Sequence, residues 1–192
     1  MLNTKSLFIF DLGNVVLNNI SFLTNTAKLI GVDPNKFKTD YQTFDIPLMI
    51  SSITFYEYWQ HVEKKFNIKI QGNPFEKTFH PVLNPIAIKL VNQLHEADKT
   101  VVLGSNTFAP HYNYVMQMGW NKYFDHFYAS HLMKIAKPSL SFYNYILRAE
   151  NTSANNTFFI DDLEENIKGA KVANIDGFCY TNDQEFENFF EL

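Results

Sequence analysis

Near its start the chain reads LFIFDLGNVVL over residues 7–17, an apolar run that ends at an aspartate and a glycine. The residues before Asp11 are typical of a short buried strand, which would deliver this carboxylate to its C-terminal edge. Ligands of open α/β sheets bind at that edge, where an aspartate can act as a metal ligand, a base or a nucleophile. Gly13 would let the backbone approach a ligand closely. Because Asp-x-Gly also forms ordinary turns, this interpretation needs support from other segments.

The composition is that of a globular protein. A chain of 192 residues can form one domain, or one domain with a sizeable insertion. Its apolar content of 46% is enough for a packed core and argues against disorder. The net charge of −4 gives no electrostatic footprint for nucleic acid, and no apolar stretch reaches membrane-spanning length. We therefore predict a soluble monomer or homodimer that binds neither nucleic acid nor membrane.

Two residue types are nearly absent. Arg148 is the single arginine, so lysine, backbone amides and a metal would have to hold a substrate phosphate. Cys179 is the single cysteine, which excludes an intramolecular disulfide and is typical of a reducing compartment. Asp11 and Gly13 interrupt the first apolar run, which is therefore unlike the apolar region of a signal peptide. We predict a cytoplasmic protein.

Beyond residue 84, apolar strands alternate with amphipathic helices, which predicts a parallel sheet with helices on both faces. We expect strands over residues 100–104, 127–129, 157–160 and 178–180. Residues 15–83 have helical character without this alternation; Ser21 is a candidate helix cap, and Thr54 with Glu57 forms a capping-box pattern. The sequence thus predicts a Rossmann-like α/β core of residues 1–14 and 84–192, with a small helical cap inserted over residues 15–83.

Three more polar segments lie at predicted strand ends or just before a helix. Ser105 and Asn106 can donate hydrogen bonds to an anionic oxygen, although they would also serve as a turn. Lys137 can neutralise a phosphate and an attacking carboxylate, although most lysines are solvated surface residues. Asp161 and Asp162 would repel each other without a cation, and oxygen-rich sites of this kind suit Mg²⁺. A helix cap would explain one of these aspartates more easily than both.

Together and in this order, the segments resemble the four motifs of the haloacid dehalogenase superfamily of phosphohydrolases. The matching stretches are DLGNVV at 11–16, LGSNT at 103–107, Lys137-Pro138 and FIDD at 159–162. The first motif is closest to a bacterial subgroup that includes α-D-glucose-1-phosphate phosphatase. The predicted insertion is similar to the small α-helical cap of that family. The resemblance implies the superfamily's fold and a phosphoryl-transfer site.

The resemblance also implies which residues act on the phosphate. Asp11 would be the nucleophile that forms an aspartyl-phosphate intermediate. Ser105 and Asn106 would hold the transferring phosphoryl group, and Lys137 would pair with both Asp11 and the phosphate. Such a site works by positioning and charge neutralisation, which are the main requirements of phosphoryl transfer.

A Mg²⁺ site is implied at the same edge of the sheet. Asp11 would bind the ion through its other oxygen, and Gly13 would offer its backbone carbonyl. Asp162 would be the main acidic ligand, with Asp161 as a direct or water-mediated partner.

Gly13 is also a departure from the family pattern. Most phosphatases of the superfamily carry at this position a second aspartate that protonates the leaving group, and such help is typically worth ~10²–10⁴-fold. The closest subgroup shares both this glycine and Asn14 after it. A site without that carboxyl favours good leaving groups, such as the anomeric oxygen of a sugar 1-phosphate.

The sequence therefore favours a Mg²⁺-dependent phosphatase that acts on a small phosphorylated metabolite, with a sugar phosphate as the favoured class. A metal-independent haloacid dehalogenase would also use an aspartate nucleophile, but the adjacent aspartates argue for a metal. A non-catalytic phosphate-binding regulatory protein is the third reading, and retention of the nucleophile, lysine and metal-site residue types weighs against it. Candidate substrate contacts outside the motifs are Phe44, Asp45, Tyr56, Trp59 and His61 in the cap, and His111 and His131 in the core.

Overall fold

The centre of the molecule is a parallel sheet of five strands. The computed structural model describes residues 4–192. Its strands are β1 (Leu7–Phe10), β2 (Leu17–Asn18), β3 (Val82–Leu83), β4 (Thr100–Ser105), β5 (His126–Ala129), β6 (Thr157–Asp161) and β7 (Asp176–Cys179). The sheet order is β5-β4-β1-β6-β7, and every neighbouring pair is parallel. This arrangement confirms the predicted Rossmann-like α/β fold and places β1 in the middle.

The first strand is buried on both faces, as expected for a central strand of a parallel sheet. Phe8 and Phe10 pack in the apolar cluster on one side of the sheet. Leu7 and Ile9 pack in the cluster on the opposite side. This alternation follows from the two-residue period of a strand, and it fixes the residue after Phe10 at the carboxyl edge of the sheet.

Helices cover both faces of the sheet and form the insertion. They are α1 (Leu23–Leu29), α2 (Pro34–Tyr41), α3 (Asp45–Met49), α4 (Phe55–Phe66), α5 (Pro74–Thr78), α6 (Pro85–Glu96), α7 (Ala109–Gln117), α8 (Ser130–Met133), α9 (Leu140–Ala149), α10 (Glu164–Val172) and α11 (Asp183–Phe190). Within residues 4–192, no helix has the length and apolar character needed to cross a membrane.

The insertion has its own apolar cluster, which supports its description as a cap. Phe37, Tyr58 and Phe75 are fully buried in this cluster, together with Phe108 from the core. By contrast, residues 15–17 pack in the cluster against the sheet. The division into a core of residues 1–14 and 84–192 and a cap of residues 15–83 stays a proposal. The first residues of the insertion, 15–17, belong to the sheet cluster and not to the cap cluster.

The start of α1 and the short strand pair at the base of the insertion were not predicted from the sequence. The residue before α1 is Phe22, and no side chain caps this helix, so the predicted Ser21 cap is wrong. The chain enters and leaves the insertion through β2 and β3, which pair antiparallel. Strands of two residues carry too little periodicity to be recognised from sequence.

The capping box at the start of α4 predicts a measurable stability effect. The Thr54 hydroxyl accepts a hydrogen bond from the Glu57 N–H, and the Glu57 carboxylate accepts one from the Thr54 N–H. Thr54→Ala should lower the free energy of unfolding by about 1 kcal/mol, measured by urea denaturation. Thr39→Ala, on the exposed face of α2, is the matched control and should leave stability unchanged or slightly higher. Equal effects of the two substitutions would contradict the capping role.

Candidate active site

A buried lysine joins two strand ends of the sheet. Asp11 follows β1, and Asp161 is the last residue of the neighbouring β6. The Nζ atom of Lys137 donates hydrogen bonds of 2.6 Å to Oδ1 of Asp11 and of 2.6 Å to Oδ2 of Asp161. The lysine comes from the loop between α8 and α9, and its side chain is 1% exposed. The ammonium group is therefore held in one position beside the Asp11 carboxylate.

The Asp161 carboxylate accepts three hydrogen bonds. Its Oδ1 atom accepts one from the Leu163 N–H at 2.9 Å and one from the Asn166 amide at 2.9 Å. Its Oδ2 atom faces Lys137, and the residue is fully buried. Asp161 thus acts as a fixed anchor for the lysine.

Asp162 is the more open member of the pair. Its Oδ2 atom accepts a hydrogen bond of 2.8 Å from the Asn14 amide. The carboxylates of Asp11, Asp161 and Asp162 can each offer an oxygen atom within 4.8 Å of the others. Opposite ligands of Mg²⁺ lie about 4.2 Å apart. Three carboxylates beside one ammonium leave an excess of negative charge, so the donor set and its charge fit a small divalent cation.

Burial and neighbouring charges shift the pKa values of the site residues. Burial raises the pKa of Asp11 to about 7, with Lys137 lowering it and Asp161 raising it. Burial also raises the pKa of Asp162. Burial alone would lower the pKa of Lys137, but the two carboxylates it contacts raise it above its ordinary value. A cation at these oxygens would lower the pKa of Asp11 and hold the carboxylate ionised at neutral pH.

The Asn106 side chain forms two hydrogen bonds with the backbone of Lys137. Its Nδ2 atom donates to the Lys137 carbonyl at 3.0 Å, and its Oδ1 atom accepts from the Lys137 N–H at 2.8 Å. The amide thereby positions Lys137, and a phosphate contact through its remaining hydrogen stays a prediction. The Ser105 hydroxyl at the end of β4 has no hydrogen-bond partner within residues 4–192, and it is available to a ligand oxygen.

A cavity of about 290 Å³ lies over these groups. Six of the seven predicted site residues line it: Asp11, Gly13, Ser105, Asn106, Lys137 and Asp162. The seventh, Asp161, lies buried beneath it. Several other wall residues had no role predicted from the sequence, among them Ile20, Met49 and Asn166. Asn166 follows the fourth motif closely, whereas nothing in the sequence marks the other two.

Among the five cap candidates, only Asp45 lines this cavity. Tyr56 is 72% exposed on the surface of α4, and Trp59 packs in the cap cluster. His61 contacts the carboxylate of Asp40 within the cap. Trp59 thus packs as helix core, which is the commoner role of an aromatic residue at helical spacing, and Tyr56, Trp59 and His61 do not line this cavity. Contact between cap residues and substrate stays a prediction.

The fold and this site define a hydrolase of the haloacid dehalogenase type. Residues 5–174 match the family model of haloacid dehalogenase-like hydrolases. The chain belongs to this family.

Three known proteins illustrate the similarity. A sesquiterpene phosphatase of Aspergillus oryzae is 31% identical over 121 residues, which cover 60% of this chain and 62% of that relative. This chain therefore spans less than two thirds of the relative's length. A HAD family enzyme of Bacteroides thetaiotaomicron is 25% identical with a TM-score of 0.82, covering 97% of this chain and 98% of that one. It has also been crystallised with magnesium and inorganic phosphate. An L-2-haloacid dehalogenase shares the fold at 13% identity, with a TM-score of 0.73 over 98% of this chain and 99% of that one.

The positioning role of Asn106 predicts a loss of stability on truncation. Asn106→Ala removes the partners of the buried Lys137 N–H and carbonyl groups, which should lower the free energy of unfolding by ~1–3 kcal/mol. Chemical denaturation measures this change. Asn113→Ala, on the exposed side of α7, is the control and should be near neutral. An Asn106→Ala protein as stable as the control would mean that the amide does not hold the lysine.

Proposed function

We propose that this protein is a Mg²⁺-dependent phosphatase that hydrolyses a small phosphorylated metabolite through an aspartyl-phosphate at Asp11. The observation that carries the proposal is the Lys137 bridge, which fixes Asp11 beside an open cluster of carboxylates. A protein of the family that binds magnesium and inorganic phosphate supports it, as does the similarity to a phosphatase.

Each site residue has its own role in the proposed reaction. The Asp11 carboxylate would attack phosphorus and displace the alcohol, and water would then hydrolyse the acyl phosphate to restore the carboxylate. Lys137 and the Ser105 hydroxyl would hold the phosphoryl oxygens during both steps. Since Gly13 has no side chain, the departing oxygen would take its proton from a cap residue, from a substrate hydroxyl or from water.

Asp11, the Gly13 carbonyl and Asp162 are the groups that would hold Mg²⁺, which when bound neutralises charge and orients the phosphoryl group. Asp161, whose oxygens already accept three hydrogen bonds, would act through Lys137 and stay outside direct coordination. This assignment chooses between the two aspartates that the sequence left open.

The class of metabolite has two candidates. A sugar phosphate remains the prediction from sequence, and polar wall residues such as Asp45 and Glu165 offer partners for hydroxyl groups. A phosphate ester of an apolar alcohol is favoured by an apolar cavity that adjoins the site and by the similarity to a sesquiterpene phosphatase. The likeness to a dehalogenase is one of fold alone, and the carboxylate cluster argues for a metal-dependent reaction.

Phosphate release tests the proposed activity. The wild-type protein should release phosphate from p-nitrophenyl phosphate and from members of a panel of metabolites with Mg²⁺, and should lose this activity with EDTA. Asp11→Asn should abolish turnover because the nucleophile is gone. Asp98→Asn, at an exposed position outside the site, should behave as wild type. Folded protein that cleaves no ester, or an active Asp11→Asn protein, would refute the phosphatase.

The metal assignment predicts different defects for the two aspartates. Asp162→Asn should raise the Mg²⁺ concentration for half-saturation by at least about tenfold, because it removes a ligand. Asp161→Asn should lower kcat, since Lys137 loses its anchor, while the Mg²⁺ requirement changes less. Calorimetric titration with Mg²⁺ alongside turnover separates the two effects. The reverse pattern would make Asp161 the direct ligand.

A further inference from the structure

A second cavity adjoins the one over Asp11. Its volume is about 110 Å³, and it lies between the core and the cap. Five wall residues are common to both cavities: Gly13, Ile20, Met49, Ser105 and Asn106. A ligand whose phosphate sits beside Ser105 can therefore extend from one cavity into the other.

The wall of the second cavity is apolar. Phe22, Phe79 and Phe108 contribute aromatic rings, and Leu17 and Met49 contribute aliphatic surface. Among the described residues, no permanently charged side chain lines it. Its polar wall residues are Ser105 and Asn106, which also line the cavity over Asp11, together with Thr107 and His111.

That histidine carries no charge at neutral pH. The ring of His111 stacks on Phe79, with centroids 3.6 Å apart, and meets the edge of Phe22 at 4.6 Å. Burial among these rings lowers the pKa of His111 to about 3. The neutral ring therefore acts as part of an aromatic wall.

Gly13 and Ile20 line both cavities and lie next to each other. A Cβ atom on residue 13 would lie 2.8 Å from Cδ1 of Ile20, so Ile20 fills the space that a side chain at this position would enter. An apolar methyl group thus stands where most phosphatases of the superfamily have a carboxyl. The substrate's carbon chain would meet apolar surface directly beyond its ester oxygen.

We infer that the second cavity is the subsite for an apolar carbon chain, and that the site takes phosphate esters of short apolar alcohols. This inference rests on the proposed phosphatase function and deepens it. An apolar cavity of about 150 Å³ in another protein holds benzene, so this smaller one accommodates a chain of roughly four or five carbons. A sugar would bring several hydroxyl groups against this wall, where the aromatic and aliphatic side chains offer no hydrogen bonds. Nε2 of His111 is a single buried atom without a partner among the described residues. Most of these hydroxyl groups would lose their water without gaining partners, which is unfavourable.

Binding of alkylphosphonates tests the subsite without turnover, because their carbon–phosphorus bond is not hydrolysed by ester cleavage. The series from methyl- to hexylphosphonate is titrated by calorimetry into the wild-type protein with Mg²⁺. Affinity should rise roughly fourfold per methylene and level off beyond about five carbons. The longer ligands should bind with a negative heat-capacity change, and 2,3-dihydroxypropylphosphonate should bind more weakly than propylphosphonate.

Met49 offers a matched pair of variants, because it lines both cavities. Met49→Gln adds a polar group of similar size and should weaken pentylphosphonate several-fold more than methylphosphonate. Met49→Leu should keep the dependence on chain length. Two results would overturn the inference even if esters are hydrolysed. One is an affinity that does not change with the length of the alkyl chain, and the other is tighter binding of 2,3-dihydroxypropylphosphonate than of propylphosphonate.

Turnover separates this inference from the proposed function. 3-Methylbutyl phosphate and glucose 6-phosphate both release a primary alcohol, so their difference in kcat/KM reports on the carbon group. The inference predicts at least about a tenfold preference for the apolar ester. Preference for the sugar ester would overturn it and leave the phosphatase standing. Chain-dependent phosphonate binding without hydrolysis of any ester would support the subsite and refute the phosphatase.

Discussion

The ammonium group of Lys137, buried between the carboxylates of Asp11 and Asp161, is the interaction on which the site depends. Burying a charge is costly unless it is paired and hydrogen-bonded. The fold meets this condition by placing β1 and β6 side by side, so that two aspartates reach the same lysine. Asn106, which follows β4, holds the backbone of Lys137 through two hydrogen bonds. The remaining carboxylate, Asp162, leaves negative charge that a divalent cation would balance.

The proposed ligand would contact charged groups at its phosphoryl end and apolar surface at its other end. The charged cluster lies at the carboxyl edge of the sheet and suits a phosphoryl group, whereas the neighbouring cavity under the cap suits a carbon chain. Gly13 connects the two, because the absence of a side chain leaves room for Ile20. Because residue 13 has no side chain, it cannot donate a proton to the leaving group. The family's core is thus combined with an apolar cavity on the side where the leaving group is proposed to lie.

The sequence predicted the parts of the structure that depend on local patterns. The buried strand at 7–10, the capping box at Thr54 and the polar residues at strand ends all carry short-range signals. The contacts made by Asn106, Ile20 and Met49 depend on segments distant in the chain, and their residue types are ordinary in turns and helices. The aromatic side chains Tyr58 and Trp59 of α4 pack as helix core, which is the commoner role of aromatic residues at helical spacing. Where a motif residue points is therefore set by packing that sequence alone does not reveal.

The central claim is that Asp11 becomes covalently phosphorylated, and trapping of that adduct tests it most directly. Wild-type protein mixed with p-nitrophenyl phosphate and Mg²⁺ is quenched in acid within the first turnover and digested for mass spectrometry. We expect one phosphoryl group on the peptide that contains Asp11, with none in the presence of EDTA and none in Asp11→Asn. Hydrolysis that proceeds with no adduct at Asp11, or a phosphoryl group on another residue, would contradict it.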